Sequence, residues 1–307
     1  MREIVSFGRW LLLTIFDTGH RHVPEIIKAA KRAKLFGGPA FKVTNKVEKV
    51  EPSLVFFPMR QYMPHIAVNR TQVRALLQRD DLTFIQDPMQ LLVYEDKIGQ
   101  FQLWGDWMPP TVFFDNQEAA REFLELNRNY PLVSKSQIGS ASQNVRILRS
   151  DEDAFRELKI AFEYGLNIEH GEQKNYVLWQ KFIPHDVTWR VTIVGRQFSV
   201  YKRFNYPGED KAAPASMVGF EPINAVSDCP PGLLDFAFEF FEVADTKYCA
   251  IDVIQDGNRW RLLETALSWA RSYKPYLVKF IGTRFTFATQ MDLLMEEIKA
   301  GRWNLPL

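Results

Sequence analysis

The sequence predicts an α+β protein made of more than one structural unit. Three observations lead there. Residues 1–90 alternate strand-like apolar runs with helical runs. The second half carries two hairpin signals, Gly195-Arg196 and Asp256-Gly257, each between apolar strands. The length, 307 residues, exceeds one ordinary domain.

Taken in order, residues 10–16 are an apolar run that stops at Asp17-Thr18-Gly19. The run is far below the roughly 18 apolar residues that span a bilayer, and it lacks a signal-like cleavage site. A helix begins after Pro24. Residues 53–57 (SLVFF) form a buried strand stopped by Pro58. Residues 69–78 form a helix with Val73, Leu76 and Leu77 on one face, and Phe84-Ile85 is a short strand. Together these make a small α/β unit, 1–90. In the next unit, 91–180, Asp115 and Glu118 have capping-box spacing. They open a helix that turns Ala119, Ala120, Phe123 and Leu124 inward. Residues 132–134 and 145–148 are strands around a small-residue loop, and Ser150 starts a helix burying Phe155, Leu158 and Phe162. In the last unit, 181–307, strands 187–194 and 197–204 flank Gly195-Arg196. A buried helix, 233–243, follows Pro230-Pro231-Gly232. Strands 248–255 and 258–264 flank Asp256-Gly257, and a final helix, 287–299, ends at Gly301. Alternating βα followed by ββ content indicates α+β with separate subdomains.

Hydrophobic residues are 46% and charged residues 24%, an ordinary globular composition. Wholesale disorder and collagen-like repeats are excluded. The 38 basic and 37 acidic residues leave a net charge of +1, which argues against non-specific nucleic-acid binding as the main role. The balance is uneven, because residues 1–50 hold ten Lys/Arg against four Asp/Glu. Lys28, Lys31, Arg32 and Lys34 cluster on the first helix, as a solvated face or as a docking place for an anionic macromolecule. Cys229 and Cys249 are too few for a disulfide framework, so a reducing cytoplasm is the expected compartment, with no membrane role. The 24 Phe fit either a large core or a stacking surface.

Neither G-x-x-x-x-G-K-[ST] nor G-x-G-x-x-G occurs. His20 and His22 have no third ligand nearby and read as exposed loop histidines. Cys249 sits in an apolar strand and reads as packing. Four elements carry charge into otherwise apolar strands. Lys135 leaves a strand and meets the small-residue loop Gly139-Ser140-Ala141-Ser142, which suits a polyphosphate. Gln180-Lys181-Phe182-Ile183 ends a strand and could hold a flat base through its backbone. Arg190 and Arg203 lie on one hairpin and need an anion, either a structural acid or a phosphate. Asp252 and Glu264 lie on the last hairpin, where carboxylates need a partner or a metal. Oxygen-only ligands suit Mg2+ held jointly with phosphates. Parity sets a condition on that pair. A regular two-residue turn at Asp256-Gly257 puts the carboxylates on opposite faces, so a shared metal requires an odd-length turn or a bulge.

The order Lys97, Lys135 with its small loop, Gln180 to Ile183, Arg190, Arg203, Asp252, Glu264 resembles the ATP-grasp superfamily. Within it the sequence is most similar to the glutathione-synthetase-like and ribosomal-protein glutamate ligase branch. Glu95-Asp96-Lys97, Met108-Pro-Pro-Thr111, Ala250-Ile-Asp-Val253 and Leu262-Leu-Glu264 add to the likeness, which covers Lys97 to Ala270. The resemblance implies an ATP-grasp fold preceded by a small α/β domain, with ATP and Mg2+ as cofactors. It implies a carboxylate–amine ligase that works through an acyl phosphate. Lys97, Lys135, Ser140, Ser142, Gln180, Lys181, Phe182, Ile183 and Asp186 would hold the nucleotide. Asp252 and Glu264 would hold the metal, and Arg190 and Arg203 would serve catalysis. Arg60, His65, Asn69 and Ser268 are substrate candidates for a small-molecule or peptide acid and amine, and the connection 211–217 would cover the acceptor. Two departures stand out. Ala266 replaces the usual Asn of Glu-x-Asn, and Thr188 replaces an acid common two residues before the first arginine. They keep a phosphotransferase and a non-catalytic nucleotide-binding relative open as alternatives.

Overall fold

The computed structural model describes residues 12–60, 65–139, 145–168, 171–205, 220–223, 225–267, 279–280, 283–284 and 287–301. Ser140, Ser142, Ser268 and the connection 211–217 lie outside these residues. Among the described residues, no helix is long and apolar enough to cross a membrane.

The N-terminal unit is a four-stranded parallel sheet in the order β2-β1-β3-β4. Its strands are β1 (Leu12–Phe16), β2 (Ala40–Thr44), β3 (Ser53–Phe56) and β4 (Leu82–Phe84). Helix α1 (Val23–Leu35) connects β1 to β2, with Pro24 in its first turn. Helix α2 (His65–Leu76) connects β3 to β4 and buries Ile66, Asn69, Val73 and Leu76. It begins earlier than the apolar pattern predicts. Two short helices follow, α3 (Pro88–Leu92) and α4 (Lys97–Trp104), capped by the side chains of Asp87 and Asp96.

The middle sheet is antiparallel, in the order β5-β10-β6-β7. It consists of β5 (Thr111–Phe114), β6 (Leu132–Lys135), β7 (Val145–Leu148) and β10 (Val177–Lys181), with a short hairpin β8 (Leu166–Ile168) and β9 (Gly171–Gln173) beside it. Helices α5 (Gln117–Leu126) and α6 (Asp151–Lys159) cover one face through Ala120, Leu124, Ala154 and Leu158. The expected Asp115 cap is corrected. Asn116, with extended backbone, accepts the Ala119 N–H at 3.0 Å, so the helix starts one residue later. Ser150 caps α6, whose first turn holds three acids that suit the positive helix end.

The C-terminal sheet is antiparallel, in the order β13-β12-β11-β14-β15. Its strands are β11 (Val187–Val194), β12 (Gln197–Phe204), β13 (Phe220–Pro222), β14 (Tyr248–Asp256) and β15 (Arg259–Ala266). The β11–β12 turn is Gly195-Arg196, as the Gly-X signal predicts. One face carries Val191, Ile193, Val200, Cys249, Ile251, Val253 and Leu262 and packs on helix α7 (Leu233–Val243). Much of the phenylalanine content lies here as edge-on core contacts, such as Phe240 with Trp104 at 5.6 Å and Phe238 with Phe198 at 5.1 Å.

The opposite face of this sheet meets the N-terminal unit. Val194, Tyr248 and Ala250 share a core with Leu13, Ile15 and Ile26, and with Met291, Leu294 and Met295 of helix α8 (Phe287–Lys299). The last helix thus returns to α1, where Arg32 pairs with Asp292 at 2.6 Å. Lys28, Lys31 and Lys34 remain exposed on α1.

Candidate active site

Strand alternation decides which side chains line the site. Thr188, Arg190 and Thr192 alternate along β11 and share a face with Arg203, Tyr201 and Ser199 of β12. The same register sets Arg190 opposite Asp252 on β14. This polar face is turned away from α7, and its charged side chains are almost fully buried.

The β14–β15 pairing meets the parity condition through a bulge. The turn is Gly257-Asn258, between Asp256 and Arg259. This corrects the expected Asp256-Gly257 turn; Gly257 sits at φ 60°, the left-handed region a tight turn needs. A regular ladder from this turn would place Leu263 opposite Asp252. Instead a bulge between Asp252 and Val253 shifts the register, and Glu264 stands opposite Asp252. Ala266 falls opposite Ala250 on the same face.

Asp252 is 3% exposed and is gripped by both arginines. Arg190 donates Nε and Nη2 to its two carboxylate oxygens at 2.5 and 2.6 Å, and Arg203 donates Nη1. Burial alone would raise the Asp252 carboxyl; the two guanidiniums outweigh it and hold the group down at about 2. Glu264 lies 4.0 Å from Arg190 Nη2 and 3.9 Å from Lys97 Nζ. Six of the expected residues are therefore neighbours: Lys97, Lys135, Arg190, Arg203, Asp252 and Glu264. Lys135 joins them electrostatically. Burial pushes its ammonium down to about 8, opposed by Glu264 and aided by Lys97.

Lys97 is fixed by a local frame. Asp96 caps α4 by accepting the Gly99 N–H at 3.0 Å, and it also accepts Gln137 Nε2 at 3.1 Å. The Lys97 N–H donates to the Gln137 carbonyl at 2.9 Å, and its Nζ donates to the Gly139 carbonyl at 2.6 Å. Gln100, one turn along α4, exchanges two hydrogen bonds with the Thr265 backbone. This buried amide ties α4 to β15 one residue past Glu264. No sequence signal marks Gln100, because its partners are backbone atoms 165 residues away.

A cavity beside this cluster is lined by Lys97, Lys135, Gln180, Thr111, Leu178 and Leu263, among others. Gln180 donates from Nε2 to Thr111 Oγ1 at 2.8 Å. The N–H groups of Lys181 and Phe182 donate to the carbonyls of Pro110 and Pro131. Ile183 is buried, and its carbonyl meets His185 Nδ1. Asp186 is exposed at the start of β11, where its carbonyl accepts the Asn205 N–H.

The substrate candidates Arg60, His65 and Asn69 lie between β3 and the first turns of α2. Asn69 is buried and holds the Arg60 N–H at 3.2 Å, while His65 opens α2. His20 and His22 are corrected: both are buried, not exposed, with ring centroids 5.0 Å apart. Burial, helped by His22, pushes His20 down to about 3, so it is neutral at ordinary pH.

Glu95 directly precedes Asp96-Lys97, and nothing in its sequence context marks it for a role. Its φ of 56° is unusual for a side chain-bearing residue. Arg70 holds the turn by donating to the Tyr94 carbonyl at 3.0 Å and pairing with Asp96 at 3.3 Å. Burial pushes the Glu95 carboxyl up to about 7, with Lys97 opposing and Glu264 adding to the rise.

The residues fit a divalent cation and a polyphosphate. Asp252 and Glu264 supply hard oxygen donors on adjacent strands. Among the described residues no group of three metal-ligating side chains assembles. Phosphate oxygens and water would complete the shell, as is usual for Mg2+.

No family model matches the sequence, and no curated protein matches it. Solved structures do. D-cycloserine synthetase DcsG superposes with a TM-score of 0.60 at 14% identity, covering 94% of this chain and 99% of that one. An ATP-grasp RimK domain protein from Sphaerobacter thermophilus gives 0.56 at 15%, covering 92% and 98%. The ATP-grasp ligase PsnB, complexed with a minimal precursor, Mg and ADP, gives 0.57 at 12%, covering 95% and 98%. At these coverages the likeness extends over the N-terminal unit and both later sheets. The chain has the ATP-grasp fold.

Proposed function

We propose that the protein is an ATP-dependent carboxylate–amine ligase forming an amide through an acyl phosphate, with release of ADP and phosphate. The observation that carries this reading is the cluster in which Arg190 and Arg203 flank Asp252, with Glu264 opposite and Lys97 beside it. Phosphoryl transfer asks mostly for positioning and charge stabilisation, and this cluster offers both. Lys97 and Lys135 hold the α and β phosphates. The backbone after Gln180, with Phe182 and Ile183, receives the base, and Asp186 or a neighbour meets the ribose. Asp252 and Glu264 would hold Mg2+, which would supply charge neutralisation on the nucleotide phosphates. Arg203 faces the transferring group and Arg190 supports it. Ser140 and Ser142 belong to the loop that excludes water from the acyl phosphate.

The PsnB structures hold precursor peptides as well as ADP and Mg. They support a peptide-borne acid or amine as the substrate, with Arg60, His65, Asn69 and Ser268 as contact candidates and units divided near residues 90 and 180. Ala266 favours a second reading, a relative that binds nucleotide without turnover, because it removes one oxygen donor from the metal face.

The test is ADP release from ATP and Mg2+ in the presence of a mixed library of acids, amines and peptides. Acid-dependent ADP release with an amine-dependent coupled product supports the ligase. A phosphorylated product without amine identifies a phosphotransferase, and ADP binding without release identifies the non-catalytic relative.

A further inference from the structure

Four buried side-chain atoms on the site face have no hydrogen-bond partner among the described residues: Thr188 Oγ1, Thr192 Oγ1, Ser199 Oγ and Arg203 Nε. Thr188 is 1% exposed and Arg203 7%. They form two cross-strand pairs in the β11–β12 register, Thr192 with Ser199 and Thr188 with Arg203, and only the second pair carries a charge. Side chains so paired have Cβ atoms about 5 Å apart, close enough to share one ligand atom. A buried hydroxyl or guanidinium nitrogen left unmatched is destabilising, so native proteins rarely keep two side by side without a use.

The geometry points to a seat for an anionic oxygen formed by Thr188 Oγ1–H and Arg203 Nε–H. This rests on the nucleotide reading above and names the group that the site face takes, a phosphoryl or acyl-phosphate oxygen. The arginine works in two directions. Its Nη1 meets Asp252, and its Nε, on another edge of the same guanidinium, has no partner among the described residues. An anion seated at Nε can therefore coexist with a carboxylate, and with a cation on that carboxylate. The chemistry of Thr188 matters here. An acid at this position would take the Nε–H itself and repel an oxyanion. A hydroxyl donates to the oxyanion and adds no negative charge. The absent acid at 188 thus becomes a binding feature, and Thr188 a positioning residue for the transferred group.

The probe is inorganic phosphate, titrated by calorimetry into the full chain holding saturating ADP and Mg2+. The expected result is phosphate binding that weakens about tenfold in Thr188→Val and survives in Thr188→Ser, with ADP affinity unchanged in both. Because the wild-type hydroxyl has no partner among the described residues, Thr188→Val should melt no lower than wild type, which separates lost binding from lost fold. Equal phosphate affinity in Thr188→Val overturns the seat, as does a wild type that binds ADP but no phosphate. A chain that binds no ADP overturns the nucleotide reading and the seat with it.

Discussion

Asp252 and Glu264 face each other across the β14–β15 ladder because Leu263 is one residue more than a regular pairing holds. The bulge converts two carboxylates of opposite parity into one acidic face, and Arg190 and Arg203 neutralise it. Asp252→Ala removes the shared anion, leaving Arg203 without its carboxylate and Arg190 with only Glu264 at 4.0 Å. The expected loss is about 3–5 kcal/mol of unfolding free energy, read by denaturant titration. A loss below about 1 kcal/mol would mean that the arginines relax to other partners. The pH dependence has a definite sign. A carboxyl held at about 2, against an ordinary 3.8, contributes stability fully above the ordinary value. That contribution disappears as pH falls through the lower one.

Lys135 gives the opposite kind of linkage. Its ammonium is pushed from 10.5 down to about 8, so the folded state releases a proton before the unfolded state does. Protonated Lys135 therefore weakens the fold below pH 8, and stability rises with pH between the two values. Nucleotide affinity should move the other way, because only the charged form attracts phosphate. ADP affinity should fall with pH above 8, by up to about tenfold per pH unit. Calorimetry of ADP binding across that range checks this. Lys135→Met should bind weakly and without that slope.

Arg203→Ala should abolish ADP release from ATP in the coupled assay while leaving ADP affinity within about threefold of wild type. In the proposed function the arginine meets the transferring group, whereas Lys97 and Lys135 line the cavity beside the cluster. A fully active variant would remove Arg203 from the chemistry.

Glu95 has a carboxyl near 7 in a left-handed turn beside Lys97. The raised value means that the folded state holds its proton longer than the unfolded state, so stability falls as pH rises from 4.5 to about 7. Glu95→Gln should raise Tm by roughly 2–4 °C above neutral pH and leave it unchanged in acid, where both side chains are neutral. Scanning calorimetry at the two pH extremes reads the difference. An equal shift at both would trace the effect to the turn and not to the charge.

Much of this was legible in the sequence, for physical reasons. Strands 187–194 and 197–204 agree residue for residue, because Gly195 fixes the turn and apolar alternation fixes the faces. Arg190, Arg203, Asp252 and Glu264 were visible as charges in apolar strands, and a charge there must have a partner. Less legible were the contacts set by backbone carbonyls and bulges. Gln100 on Thr265 and Arg70 on the Tyr94 carbonyl leave no pattern, since any residue type supplies the carbonyl. The register shift at Leu263 was stated only as a condition, because apolar runs allow more than one turn. Polarity alone suggests solvent contact for His20 and His22, whereas both are buried in the short loop after β1.

Ala266 tests how much of the metal face survives. It stands two residues beyond Glu264 on the same face, opposite Ala250, and part of its surface packs against the core shared with α8. A small side chain on each strand leaves an amide facing only a methyl across the ladder. Ala266→Asn adds one oxygen donor on the face that already presents Asp252 and Glu264. If the cation sits there, Mn2+ affinity in the ADP complex, read by electron paramagnetic resonance, should tighten about tenfold, the scale of one good ligand contact. Burying the amide against apolar neighbours should lower stability by about 1–3 kcal/mol when metal is absent. Adding ADP and Mn2+ should then recover the loss, because a ligand that binds only the folded state stabilises it by mass action. Destabilisation without tighter Mn2+ binding would place the cation away from this face.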